Sequence, residues 1–559
     1  MKKWFDEATI YQVYPKSFKD TNNDGIGDLP GVIEKLDYLK DLGINTLWLN
    51  PVYISPQLDN GYDVSNYFAI DPSLGTMDDM QRLIHLAHQH QMKIVMDFVM
   101  NHTSDQHPWF KDAVNNPDSI YRDYYLWAKG RNGGKPNNWG SFFGGSVWEK
   151  DPGQTNEYYF HLFDKHMPDL NWKNPEVQNS MIDIAKFWVK KGIDGLRLDA
   201  FIHISKADFE QDYPSDGKNP YPLAESFYAN RKDVQDYLNH FSSELKKINP
   251  DIFIMGEASS ANVNLAVDYS DPERQLCDSV ITFRNFADDR SQNNHDIPEN
   301  FQPAPIDVPG FREKMAVWQS NLEGISYPTL YWSNHDMARL ATRYGDFDEE
   351  EASCKALALA MYLQKGLPII YYGEELGMRN MNLQDLADFD DLTVPEFDQK
   401  ATKAGFSHEE VLNMLNKTHK ISARNAMQWD ESNKYFGFSD HEPWKYGPTA
   451  ACSVEEEQQE PNSVLNFYKL IIKMKQEPLY IKGREIVLNT KDKQVFGYKR
   501  IFNDHAAIVL CNLNKQATKV TLDDNLNDYD IRLIQKTANL DGKHQVSLAG
   551  WSSIVLEKK

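Results

Sequence analysis

Cysteine is scarce in this chain. The four present, Cys277, Cys354, Cys452 and Cys511, stand far apart with no CxxC pair among them. That spacing excludes a disulfide framework and fits free thiols in a reducing compartment. Long apolar runs are also missing, and no stretch reaches the length needed to cross a bilayer. The opening MKKWFDEATIYQVYP carries lysines but no apolar centre, so no signal peptide is expected and a cytoplasmic location is. Positive charge is in deficit, with 59 Lys and Arg against 82 Asp and Glu and a net charge of −23. Nucleic acid and anionic membranes are poor partners for such a surface. The histidines lack HxxxH or HExxH spacing, which argues against a catalytic metal.

The chain is instead rich enough in apolar residues (41%) and aromatics (12%) to build a sizeable core. Eight short apolar runs recur: Ala8–Tyr14, Thr46–Leu49, Lys93–Phe98, Gly195–Leu198, Ile252–Met255, Ser279–Phe283, Thr329–Ser333 and Pro368–Tyr372. Segments with helical spacing lie between most of them, as in Gly31–Leu42, Asp78–Gln91, Val177–Lys190 and Val234–Ile248. Eightfold strand–helix alternation predicts an α/β fold, a parallel (β/α)8 TIM barrel. Functional groups in that fold collect where the strands end. The gap after the third strand, rich in Trp, Tyr, Asn and Gly, is too long for one helix and reads as an inserted subdomain. From about Gly483, short strand-like runs with polar turns read as a C-terminal β-sandwich. The expected division is a barrel over 1–102 and 173–480, an insert over 103–172 and a sandwich over 481–559. The acidic stretch Glu455–Glu460 reads as a solvated loop.

The first loop, Asp20-Thr21-Asn22-Asn23-Asp24-Gly25-Ile26-Gly27-Asp28, places oxygen donors at alternate positions around a glycine. Asp20, Asn22, Asp24, the Ile26 carbonyl and Asp28 match a structural Ca²⁺ loop. The twelfth position is Gly31, so the bidentate Glu of an EF-hand is missing; an Asx-rich turn is the alternative, and the metal loop is the favoured reading because five alternating positions comply.

The heptad Asp194–Ala200 carries the sharpest signal. Alternation along a strand puts Gly195, Arg197 and Asp199 on one side, with Leu196 and Leu198 on the other. A buried Arg favours an ionised Asp beside it, and a carboxylate anion in a pocket can attack an electrophilic carbon. Other strand ends add His102, Glu257, His335 and Asp336, and Tyr62 and Asp63 follow strand two. Singly, each is more often a hydrogen-bonded structural group. Together, in barrel order, they form a constellation.

The motifs DFVMNH (97–102), MPDLN (167–171), GLRLDA (195–200), GE (256–257), NHD (334–336) and YYGEELGM (371–378) give the chain an end-to-end resemblance. It resembles α-amylase-superfamily glycoside hydrolases, and within them the oligo-1,6-glucosidase/α-glucosidase subfamily. The resemblance implies Asp199 as nucleophile, Glu257 as acid and base, and Asp336 as the group gripping the sugar's 2- and 3-hydroxyls. It implies that His102 and His335 bind sugar hydroxyls and that Arg197 orients Asp199. It also implies that Asp63, Tyr62 and Arg424 close an exo-acting pocket, with Phe143 and Phe163 as possible stacking walls or plain core. Asn425-Ala426 stands where relatives usually have Thr-Pro.

Two positions bear on linkage. Members of the subfamily that prefer α-1,6 bonds usually carry Val directly after the nucleophile and Gln-Pro-Asp-Leu-Asn in the insert; this chain has Ala200 and Met167. The expectation is α-1,4 cleavage of maltose and short malto-oligosaccharides. Isomalto-oligosaccharides come second, and trehalose 6-phosphate, suggested by Glu257-Ala258-Ser259-Ser260, comes third. A monomer with a small oligosaccharide substrate is expected.

Overall fold

A computed structural model describes residues 3–153, 155–215, 217, 219–284, 301–447 and 453–559. Eight parallel strands form the barrel: β1 (Ile10–Val13), β2 (Thr46–Leu49), β3 (Lys93–Val99), β4 (Gly195–Asp199), β5 (Phe253–Glu257), β6 (Ser279–Ile281), β7 (Thr329–Leu330) and β8 (Leu367–Tyr371). Their order is β6-β5-β4-β3-β2-β1-β8-β7. Each falls on one of the eight apolar runs, and nearly every strand residue is buried. Side chains rather than a backbone ladder join β6 to β7. Ser279 Oγ donates to Tyr327 O (2.7 Å) and Thr329 Oγ1 to Val280 O (3.0 Å).

Local signals set the helices. Asn174 caps Pro175–Lys191 by accepting from Glu176 N, and Gly192 ends that helix at φ 104°, where a glycine is needed. Thr76 and Asp79 form a capping box on Met77–Gln89.

Register positions the chemistry. Asp97 pairs across the sheet with Arg197, and Gly256 with Leu198, which brings Glu257 level with Asp199. Gly256 is obligatory for a second reason. A Cβ there would lie 2.5 Å from the Phe201 ring and 2.8 Å from Cys277 Sγ.

Between β3 and β4 lies a three-stranded antiparallel sheet (Trp127–Lys129, Trp148–Lys150, Glu157–Phe160). After β8 a satellite core of Phe389, Val394, Phe397, Ala401, Val411, Leu415 and Ile421 gathers around two helices, which the sequence pattern did not separate from the barrel. The C-terminal region has a five-stranded and a three-stranded antiparallel sheet. Val495, Ile508, Leu510, Val520, Val546, Ile554 and Leu556 form a core with residues from both. It docks on the barrel through Arg500, whose guanidinium donates to Leu363 O (2.7 Å) and Gly483 O (2.8 Å).

One expectation is corrected. Glu455–Glu460 is not a solvated loop, because Val454–Gln459 is helical. Ser453 and Glu456 make a capping box, and acidic side chains in a first turn suit the positive end of the helix dipole. Cys277, Cys354 and Cys511 are buried free thiols, while Cys452 lies outside the described residues. No described helix is long and apolar enough to cross a membrane.

Candidate active site

The mouth is built around one guanidinium. Arg197, 1% exposed, donates from Nη1 to Asp97 Oδ1 (2.6 Å) and Asp199 Oδ1 (2.7 Å), and from Nη2 to Glu257 Oε2 (2.7 Å). Three carboxylates thus share one cation. Burial pushes the Asp199 carboxyl well above its ordinary range; Arg197 pulls it back, while Glu257, Asp97 and Asp336 push it further up. Burial likewise raises Asp97 to about 6 against the pull of Arg197. Such a cluster holds protons as a group.

Glu257 Oε2 accepts from Arg197 and from Ala200 N (3.2 Å). Both are donors, so a proton on this side chain belongs on Oε1. Ala200 itself sits at φ 48°, a left-handed backbone that turns the chain off β4.

A second network holds the opposite wall. Tyr62 hydroxyl donates to Asp97 Oδ2 (2.9 Å), accepts from Asn50 Nδ2 (2.9 Å) and meets His335 Nε2 (2.6 Å). Gln12 Nε2 donates to Asn50 Oδ1 (3.0 Å) and lies 2.7 Å from His335 Nδ1. Burial holds the His335 imidazole far below its usual range, hence neutral, and its ring stacks on Tyr62 at 5.3 Å and 9°. Asp336 follows. Burial opposes its anion, but the charges of Lys420, Arg424 and Arg197 hold it below the ordinary carboxylate range, with the neutral His335 ring 3.1 Å away. Arg424 Nη2 lies 3.5 Å from Asp336 Oδ1, and its Nε donates to His335 O (2.9 Å). His102 Nε2 has no hydrogen-bond partner among the described residues, and burial lowers the imidazole to about 4. Phe163 packs edge-on against His102 at 5.2 Å and against Phe143 at 5.7 Å, and Lys420 lies over Phe143 at 5.4 Å. The cavity opening from Asp336 measures about 1290 Å³.

Asp63 is placed differently from the expectation. Its oxygens accept from Ser55 Oγ (2.7 Å), Leu58 N (2.9 Å) and Asp59 N (3.1 Å), so it braces its own loop. Asp59 takes the facing position, 3.8 Å from Lys420. Burial lifts it to about 6 against the pull of Lys420 and Arg424. Sequence reasoning also missed Gln12 and Asn50. A polar side chain inside the apolar run Ile10–Val13 was the available signal for Gln12.

The first loop is an Asx-turn structure. Asp20 accepts from the N–H groups of Asn22, Asn23 and Gly25 and from Ser439 Oγ (2.6 Å); Asp28 accepts from Thr21 and Gly31. Among the described residues no three His, Cys, Asp or Glu side chains already form a metal cage. The donor set is hard oxygen throughout, which fits Ca²⁺ in chemistry.

Residues 12–483 match the alpha amylase catalytic-domain family. The chain belongs to the α-amylase family. This α-amylase-family glycoside hydrolase is 36% identical over 520 residues to the oligo-1,6-glucosidase of Halalkalibacterium halodurans, spanning 92% of this chain and 91% of that one. It is 36% identical over 565 residues to the trehalose-6-phosphate hydrolase of Bacillus subtilis, spanning 99% and 98%. A solved family GH13_31 enzyme superposes with a TM-score of 0.90 at 48% identity, covering all of both chains.

Proposed function

We propose that this glycoside hydrolase is a retaining, exo-acting α-glucosidase releasing glucose from the non-reducing end of maltose and short malto-oligosaccharides. The observation carrying this is the Arg197 guanidinium, with Asp199 on one terminal nitrogen and Glu257 on the other. Two carboxyl groups held that close suit a double displacement, for which a spacing of about 5–5.5 Å is usual. Asp199 attacks the anomeric carbon as the glycosidic C–O bond breaks, and the proton on Glu257 Oε1 passes to the leaving oxygen. Glu257, now an anion, takes a proton from water as that water displaces Asp199. Asp336 stays ionised throughout and grips the ring hydroxyls as positive charge develops. The unpartnered Nε2 of His102 supplies a further hydrogen bond, while His335, its ring nitrogens taken by Gln12 and Tyr62, braces the wall rather than the sugar. Arg424, Lys420 and Asp59 form the closed end.

Ala200 supports the α-1,4 preference, since a small side chain beside the nucleophile leaves room around the leaving sugar. The names of the relatives favour α-1,6 bonds. A phosphorylated disaccharide draws support from the cavity rim. Lys400, Lys403, Lys417 and Lys420 line it, and Lys403 and Lys417 have no ion-pair partner among the described residues. Initial rates of one preparation on maltose, isomaltose, trehalose 6-phosphate and sucrose decide among these. Maltose as the poorest of the four would overturn the α-1,4 reading. The loop Asp20, Asn22, Asp24, Ile26 carbonyl and Asp28 would hold a structural Ca²⁺, whose charge would tie the loop together.

A further inference from the structure

The segment carrying Arg424 crosses back over the barrel mouth, and the structure fastens it with unusual care. Ser17 Oγ donates to Arg424 O (2.7 Å), Tyr372 hydroxyl to Asn425 O (2.7 Å), and Met427 N to Ser17 O (2.8 Å). These bonds fix the main chain. Side chains also tie it to the loop that follows β7: Arg424 Nε donates to His335 O at 2.9 Å, and, from the far side, Arg339 Nε donates to Asn425 Oδ1 at 2.9 Å.

Arg339 lies three residues beyond Asp336, in the same loop. It is 1% exposed and has no carboxylate within ion-pair reach among the described residues. Its Nη1 donates to Tyr372 O at the end of β8 (2.7 Å), and its backbone N–H donates to Asn380 Oδ1 (2.8 Å). Its guanidinium also lies over the Tyr371 and Tyr372 rings, at 5.1 and 4.7 Å. Arg339 therefore joins the Asp336 loop, the end of β8 and the Arg424 segment. Asn425 is its link to the last of these.

We propose that Asn425 is a positioning residue: through Arg339 it sets the spacing between Arg424 and Asp336, and so the grip on the non-reducing glucose. The two pairs are one residue apart on the Arg424 side and three apart on the Asp336 side. In the Arg424–Asp336 pair the guanidinium is buried and the carboxylate is 29% exposed, at a loose 3.5 Å that leaves Asp336 open to hydroxyls. Asn425–Arg339 is buried behind it and tight. Asn425 fits the task because its amide oxygen reaches a guanidinium that a threonine hydroxyl, on a shorter side chain, would not reach from the same backbone. The proposal holds for any linkage, because the gripped glucose is the same in each case.

The test compares Asn425→Ala, Asn425→Ser and Asn425→Asp, using p-nitrophenyl α-glucoside as substrate and glucose as competitive inhibitor. Loss of the acceptor should raise KM and the glucose inhibition constant roughly tenfold in the Ala and Ser variants, with kcat within about threefold, because a shifted grip weakens ring binding more than chemistry. Asn425→Asp keeps an acceptor opposite Arg339 and should restore both constants to within about twofold. Unchanged glucose inhibition in a folded Ala or Ser variant overturns the proposal. So does an Asp variant as impaired as Ala. If Ala does not fold, the Ser and Asp pair decides alone.

Discussion

Asp97 stands 2.6 Å from Arg197, on the same guanidinium nitrogen that holds Asp199. The relationship is competitive as well as structural. Every fraction of positive charge spent on Asp97 is unavailable to the nucleophile, and a negative Asp97 also raises the cost of ionising Asp199. Asp97 has no freedom to turn away, since Trp48 Nε1 and the Tyr62 hydroxyl both donate to its other oxygen.

Asp97→Asn should therefore damage the fold more than its size suggests. The amide has one acceptor oxygen where the carboxylate served three donors, so one donor faces an N–H group. Breaking such a buried pair costs about 3–5 kcal/mol. Chemical denaturation would measure this, and a loss under about 1 kcal/mol would contradict it.

Glu257→Gln removes the transferable proton. With natural disaccharides kcat should fall by about 10²–10⁴. An aryl glucoside with a good leaving group needs no acid in the first step, so it should show a burst followed by slow turnover. Loss of the burst, or equal losses on both substrates, would reassign Glu257.

Ala200→Val places a β-branched residue at φ 48°. Strain of about 1–3 kcal/mol should lower Tm. The same change should raise isomaltose cleavage relative to maltose. An unchanged rate ratio removes Ala200 from the linkage question.

Much of this was legible in the sequence, and the reason is physical. Strand runs are short, apolar and punctuated, so all eight were readable, and their ends gathered Asp199, Glu257 and Asp336 at one mouth, while the role of each came from the family resemblance. Asp63 and Asp59 were not separable that way. Both lie in one loop, and only its folded path shows that Asp63 accepts from Leu58 and Asp59 while Asp59 faces Lys420. Glu455–Glu460 misled because charge density was weighed without its cap, Ser453.

Two buried acids outside the site govern pH stability. Burial lifts both Glu374 and Glu485 to about 7. Each keeps a proton in the folded state that its unfolded form has lost once the pH passes about 4.5, so each lowers stability progressively between about pH 4.5 and 7 and levels off above that. The buried neutral histidines act in the opposite direction, because their unfolded forms stay partly charged until the pH is well past about 6.5. Glu485→Gln isolates the acid: its Tm should gain on the wild type progressively from about pH 4.5 to 7 and hold that gain above it. A Tm difference that does not change with pH over this window would refute the assignment.

Calcium should stabilise the chain if the first loop binds it. At 100 times the dissociation constant the gain is about 2.7 kcal/mol, read as a higher Tm that a chelator reverses. Asp24→Ala should abolish the response; a wild-type Tm indifferent to both additions would leave the loop as an Asx turn alone.

The first loop also has a temporal consequence. Asp20 accepts from Ser439 Oγ and its N–H donates to Phe438 O, so this loop, which closes on itself through local bonds, is anchored only by a stretch 419 residues further along. On a translating ribosome, at about 5–20 residues per second, the nascent end would wait roughly 20–80 s for that stretch to be synthesised. Release of a chain truncated before Phe438 would leave the loop after β1 without its Phe438 and Ser439 anchors.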